Sequence, residues 1–216
     1  MGFADRPALW RGWVGCFYDP SDMTLPAGTR IGHVHLKVAD LERALGFYCG
    51  VLGFELMARL GTQAAFVSAG GYHHHIGLNT WESKGGQPPT RGTTGLYHTA
   101  ILYPSRAELG RALKGLIHHG VRLDGAADHG VSEALYLRDP DENGVELYWD
   151  RPKEQWPRGK DGELEMYTRE LNLEGLLEAG EDHESDCICW LGVVPITTVG
   201  SAFPGLALPR RIAIQE

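Results

Sequence analysis

From Ile31 to Val38 apolar and polar residues alternate. Val34, Leu36 and Val38 fall on one side, His33, His35 and Lys37 on the other. Period-two alternation of this kind predicts a half-buried strand. Asp40 then reads as a helix N-cap, followed by Leu41, Ala44, Leu45 and Tyr48 at helical spacing, with Gly50 and Gly53 closing the helix. Phe54–Arg59, Ala64–Ala69 and His73–Asn79 read as three short strands between glycine turns. Lys84–Gly95 is rich in Gly, Pro and Thr and reads as a linker. The pattern then restarts. Tyr97–Tyr103 is a strand, and Pro104 and Ser105 open a helix that carries Leu109, Leu113, Leu116 and Ile117 on one face and ends at Gly120. Val121–Leu123, Glu133–Leu137 and Gly144–Trp149 follow as strands, with Asp139–Gly144 as a turn.

The chain therefore repeats a βαβββ unit, once over about residues 30–81 and again over about 96–150. His33 and His98 hold the same place in the two units. The expected fold class is α+β: two paired modules forming a curved mixed sheet around a cleft, within a domain over 28–157. Residues 1–27 show no periodicity, although Trp10, Trp13, Phe17 and Tyr18 lie among Gly and Pro. They are expected to be an N-terminal extension, with Met23 as the natural start. Beyond 158, Leu164–Leu177 is expected to form a helix on the outside. Residues 180–216 read as an irregular tail with a weak apolar segment at Trp190–Ile196.

Composition narrows the function classes. The 216 residues carry a formal net charge of −8 and no basic stretch, so the electrostatic footprint of a nucleic-acid binder is missing. No apolar run approaches the ~20 residues of a membrane helix, and the N-terminus has no apolar core of a secretory signal. Cys16, Cys49, Cys187 and Cys189 fit no zinc knuckle. They are expected to be reduced thiols in a cytoplasmic protein.

Histidine changes the picture. Of ten, seven fall in four places: His33/His35, His73–His75, His98 and His129. Histidine is the commonest metal ligand and the usual acid–base group near neutral pH. Either His33 or His98 alone is more simply a surface or hydrogen-bonded residue; their equivalent positions in a repeat set them apart. Glu146 lies in Gly-Val-Glu-Leu-Tyr-Trp, an otherwise apolar final strand. A carboxylate there needs compensation, which a metal supplies. Two histidines and one carboxylate with open positions suit non-haem Fe(II), and Zn, Mn, Co or Ni also accept such donors. Not all of His73–His75 can face one side of a strand. His35 reads as polar surface or as support for a ligand, and His118–His119 as helix C-terminal residues favoured by the dipole. Trp81, Phe66 and Tyr148 are candidates for a ring pocket, with core packing as the simpler role.

Ile31-Gly32-His33-Val34-His35-Leu36-Lys37-Val38-Ala39-Asp40, then Val51-Leu52-Gly53-Phe54-Glu55, resembles the opening signature of the vicinal oxygen chelate superfamily. That superfamily includes glyoxalase I, bleomycin-resistance proteins and type I extradiol dioxygenases. The similarity runs through Tyr72–Trp81, Leu96–Ile101 and Asp128–Pro140 to Glu146–Pro152, and is nearest to catechol-2,3-dioxygenases. It implies His33, His98 and Glu146 as metal ligands, His74 as acid–base, Tyr136 as a hydrogen-bond donor to substrate oxygen, and His129 beside it. His129 stands two residues closer to the tyrosine than the family pattern has it. The turn Asp139-Pro140-Asp141-Glu142 departs too, because the family usually places glycine after Asp-Pro-x; only the turn is expected to change. The implied activity is Fe(II)-dependent extradiol cleavage of a catechol-type diol with O2, in a homodimer. One alternative is a glyoxalase-like lyase or isomerase using Ni or Zn, in which His75 would be the reserve fourth ligand. The other is a metal-free protein that sequesters an aromatic drug.

Overall fold

The computed structural model describes residues 24–181. The N-terminal extension before residue 24, the tail beyond 181 with its segment Trp190–Ile196, and Cys16, Cys187 and Cys189 lie outside the described residues. Residues 24–32 contain a single turn, Thr29 N–H to the Pro26 carbonyl.

The first module runs β1 (Val34–Lys37), α1 (Leu41–Tyr48), β2 (Glu55–Leu60), β3 (Ala64–Ser68) and β4 (Ile76–Asn79). Its sheet has the order β1-β4-β3-β2, with β1 parallel to β4 and the other pairs antiparallel. The second module repeats it: β5 (Thr99–Leu102), α2 (Arg106–His118), β6 (Leu123–Asp128), β7 (Ser132–Arg138) and β8 (Gly144–Asp150). Its order is β5-β8-β7-β6, extended by a two-residue strand, β9 (Arg169–Glu170), on the outer edge of β6. A 3-10 turn over Lys153–Gln155 and a short helix, α3 (Leu173–Ala179), complete the described chain. The fold is the expected α+β pair of βαβββ modules, built as two separate open sheets.

Local chemistry accounts for the helix starts. The carboxylate of Asp40 accepts the Arg43 amide, and the hydroxyl of Ser105 accepts that of Glu108; each satisfies an amide that the first helical turn leaves unpaired. Three expected elements shift. Residues 164–172 are extended rather than helical, because Arg169–Glu170 pairs with β6 and Asn172, accepting the Gly175 amide, caps a helix that begins only at Leu173. His73–His75 lie in a bend before β4, following two glycines with left-handed backbone, Gly70 and Gly71. β6 spans Leu123–Asp128 rather than Val121–Leu123. Its Gly-Ala-Ala centre has little strand preference, and pairing with β7 overrides that.

The core lies between the modules. Leu36, Val38, Val67, Ile76 and Leu78 from the first sheet, Leu135, Leu137, Val145 and Leu147 from the second, and the buried faces of α1 and α2 form one cluster. Polar contacts pin α1 to the β7–β8 turn. The buried Tyr48 hydroxyl donates to Asp139 at 3.0 Å, Arg43 reaches Asp141 at 2.5 Å, and the Ala39 amide donates to Asp141 at 3.1 Å. Burial, and then the Asp139 charge, push the Tyr48 phenol well above its ordinary pKa, so it remains a donor. Both sheets thus turn their helix-bearing sides toward a shared interior. The opposite sides, on which the candidate residues lie, remain open.

Candidate metal centre

On the open side of the second sheet, strand alternation sets Tyr136 and Glu146 directly opposite each other on β7 and β8. His98 lies one residue before β5, in register with that face. Gly144 lets it come close: a side chain at 144 would collide with the Tyr97 carbonyl and the backbone of His98. His98 Nε2 stands 2.9 Å from Glu146 Oε2, whose side chain is only 12% exposed. Two donors on one ion, at bonds of about 2.1 Å and near right angles, stand about 3 Å apart. The pair therefore suits adjacent positions on a divalent metal. His98 Nδ1 is buried with no hydrogen-bond partner among the described residues.

Behind the carboxylate runs a chain of hydrogen bonds. Tyr136 OH lies 3.2 Å from Glu146 Oε1 and 2.7 Å from His129 Nε2. His129 Nδ1 faces the Tyr167 carbonyl at 3.1 Å and the Thr168 hydroxyl at 3.3 Å. A carbonyl only accepts, so Nδ1 carries hydrogen and a neutral His129 offers Nε2 as acceptor. Tyr136 then has one proton for two acceptors, His129 and Glu146. Burial, the Glu146 charge and the hydrogen bond to it all raise the Tyr136 pKa, so the phenol holds its proton. Tyr97, Gly125, Ala127 and Thr168 complete a cavity of about 620 Å³ over these groups. Tyr167 and Thr168 escaped the sequence reading because they belong to the stretch expected to be helical.

The open side of the first sheet gathers the other histidines. The ring of His33 packs on that of His74 at 4.5 Å, and His74 on Phe66 at 5.0 Å. His73 and His74 share a hydrogen bond between their Nδ1 atoms at 2.8 Å, while His75 Nδ1 is bound by the Ser68 hydroxyl at 2.9 Å. His35 lies against Phe66 and Trp81, at 5.9 and 5.5 Å. Gly77 makes room for it, since any Cβ there would meet the His35 ring at 2.9 Å. Slight burial, then the neighbouring His33, His73, His35 and His75, lower the His74 pKa, which keeps the imidazole neutral and able to take a proton. Because His73–His75 form a bend, strand alternation does not sort them. His118 ends α2 and His119 caps it, away from both clusters.

The structure brings His98, Glu146, Tyr136 and His129 together, and separately His33 with His74. It does not join the two sets within one chain. Among the described residues, no three histidine, cysteine, aspartate or glutamate side chains come close enough to hold an ion. The expected cleft does not bring the two sets together among the described residues: both modules contribute to one buried cluster, and α1 is tied to the β7–β8 turn, while the donor-bearing faces stay open.

The family model of the Glyoxalase/Bleomycin resistance protein/Dioxygenase superfamily matches residues 30–147. The chain is 45% identical over 159 residues to a catechol-2,3-dioxygenase of Bacillus subtilis (strain 168), covering 73% of this chain and 54% of the relative. It is 32% identical over 123 residues to biphenyl-2,3-diol 1,2-dioxygenase 3 of Rhodococcus globerulus, covering 56% and 63%. The chain thus spans 54% and 63% of the length of these two curated relatives. A solved glyoxalase/dioxygenase of Nostoc punctiforme, 18% identical, matches at a TM-score of 0.50 over 64% of this chain and 99% of its own, a likeness of fold. No helix among the described residues is long and apolar enough to cross a membrane.

Proposed function

The chain belongs to the Glyoxalase/Bleomycin resistance protein/Dioxygenase superfamily, and on that footing we propose that it is an extradiol dioxygenase opening a catechol-type ring with O2. The observation that carries this reading is the set His98, Glu146, Tyr136 and His129 on one sheet face, in a chain 45% identical to a catechol-2,3-dioxygenase. His98 and Glu146, together with His33, are the donors for a divalent metal, Fe(II) in this reading. When bound, such a metal supplies the electronic path between the aromatic diol and O2.

The chain's own residues do the rest. Glu146 contributes negative charge and an oxygen donor, and Tyr136 orients it from behind. By turning its single O–H from Glu146 or His129 toward the substrate oxygens, Tyr136 stabilises developing negative charge there. His129, tethered by Tyr167 and Thr168, fixes the direction of the Tyr136 proton. His74, neutral and half-buried against Phe66, takes a proton from the diol and returns one to the product, a general base and then a general acid. The small side chains Gly125 and Ala127 leave space for an aromatic ring over Tyr136. Both oxygen atoms enter the product, a ring-opened hydroxymuconic semialdehyde type. A lyase with a carboxylate ligand in each module is disfavoured by the first sheet, where β4 offers Gly77 and Asn79 in that position.

The test is anaerobic loading with Fe(II), followed by oxygen uptake and yellow product with a panel of catechols. An iron-loaded protein that consumes no oxygen with any of them, or that instead turns over a methylglyoxal–glutathione adduct with nickel, defeats the proposal. His74→Phe should retain iron and lose turnover; loss of both together would reassign that residue.

A further inference from the structure

We propose that Gly130 and Arg151 are positioning residues for the ring-opening reaction: together they clamp the turn between β6 and β7 so that the His129 imidazole presents Nε2, bare of hydrogen, to the Tyr136 hydroxyl. The inference rests on the reading above and adds what holds His129 in place.

His129, Gly130 and Val131 link the end of β6 to the start of β7. A side chain on such a link is held less tightly than one on a paired strand unless other groups pack against it. Arg151, which follows β8, supports the link from one side. Its Nη2 donates to Asp128 Oδ2 at 2.9 Å and to Glu133 Oε1 at 2.8 Å, and its amide donates to the Val131 carbonyl at 2.8 Å. Asp128 in turn folds back on the link, its Oδ1 accepting the Gly130 amide at 2.8 Å. Glu133 is only 4% exposed, and Arg106 of α2 holds its other oxygen at 2.7 Å. Arg151 is thus fastened to the helical side of the sheet as well as to the turn. Charge-assisted bonds withdrawn from water in this way are strong. The Arg151 carbonyl also accepts the Trp156 indole N–H at 2.7 Å, which starts the following stretch in a fixed direction.

That stretch supports the link from the other side. Gly130 has left-handed backbone, φ 78°, and a Cβ there would meet Pro157 Cγ and the Tyr167 ring, each at 2.7 Å. Glycine is therefore needed for its backbone angle and for the close approach. The approach brings the Tyr167 backbone alongside His129. The Tyr167 amide donates to the His129 carbonyl at 3.3 Å, and the Tyr167 carbonyl faces His129 Nδ1 at 3.1 Å. Pairing of β9 with β6, and the Arg169 guanidinium 3.9 Å from the centre of the Tyr167 ring, fix the stretch beyond. A carbonyl in that place selects the tautomer with hydrogen on Nδ1. If the carbonyl is withdrawn, Nε2 can carry the hydrogen and donate to Tyr136, and the Tyr136 proton is then turned to Glu146. Neither Gly130 nor Arg151 lines the cavity over Tyr136; both act through His129.

The experiment reads tautomer and turnover separately. Long-range proton–nitrogen correlation spectra of the metal-free full chain, at mildly alkaline pH, should show His129 with hydrogen on Nδ1. Gly130→Ala and Arg151→Met should each lose that preference. In the Fe(II)-loaded enzyme each substitution should lower kcat for catechol about 10-fold with KM unchanged. Neither should lower it further in a His129→Ala background, because both effects pass through that imidazole. Tyr167→Ala removes the ring from Gly130 without straining the glycine and should reproduce the loss, which guards against a folding defect peculiar to Gly130→Ala. A wild type with hydrogen on Nε2, an unchanged tautomer in the variants, or losses that add to that of His129→Ala overturn the proposal. An iron-loaded wild type that consumes no oxygen with any catechol, its His129 still locked in the spectra, overturns the proposed activity and spares the clamp.

Discussion

The two modules share one topology and differ in how their open faces are supported. In the second, Tyr136 and Glu146 stand in the middle of paired strands, and β9 with the segment before it backs His129 from outside. In the first, His33 precedes β1, His73–His75 lie in a bend, and every residue of the edge strand β2 is exposed. Side chains mounted on paired strands hold their positions more tightly than those on loops. On the proposed reading, the second module holds His98 and Glu146 on paired strands, and the first carries His33 and His73–His75 outside its strands.

The largest expected effect tests that inequality. Glu146→Ala should lower iron affinity by more than about 100-fold, and His33→Ala by less, about 10- to 100-fold, in anaerobic metal titrations. Equal losses would mean that the two modules hold their donors equally well. Next comes the joint between modules. Asp139, 3% exposed, accepts from Tyr48, from the amides of Asp141 and Asn143, and from the Asn143 side chain. Asp139→Ala strands these donors and should cost about 3 kcal/mol in denaturant unfolding. A cost below about 1 kcal/mol would show that the joint is held by apolar packing alone. Smaller again, His129→Ala should reduce turnover about 10-fold with iron content unchanged, whereas Thr168→Val should have a slighter effect of the same kind. If iron is lost as well, His129 supports Glu146 rather than the proton on Tyr136.

The smallest effect concerns the turn between β7 and β8. Glu142 has left-handed backbone, φ 63°, at the position where the family pattern has glycine. A side chain in that region costs roughly 1–2 kcal/mol. Glu142→Gly should therefore stabilise the protein by about 1 kcal/mol in the same unfolding experiment. No gain would mean that the Arg138 contact to the Glu142 carbonyl, 3.3 Å, depends on the native side chain.

The sequence by itself determined the repeat, the class of fold and the identity of the chemical groups. Alternation around His33 and Glu146, the caps Asp40 and Ser105, and the spacing from Tyr136 to Glu146 are local properties of the chain, and local properties survive in a linear reading. Only the tertiary structure decided that Thr168 lies beside His129, because the pairing of β9 with β6 overrides a helical pattern through contacts distant in sequence. It also decided which sides of the sheets face each other. Apolar residues on β1, β4, β7 and β8 say that one face of each sheet is buried, and are silent on what buries it. Here each module's own helix packs on its sheet, the two share one buried cluster, and that burial of apolar surface leaves His33 and Glu146 on separate open faces.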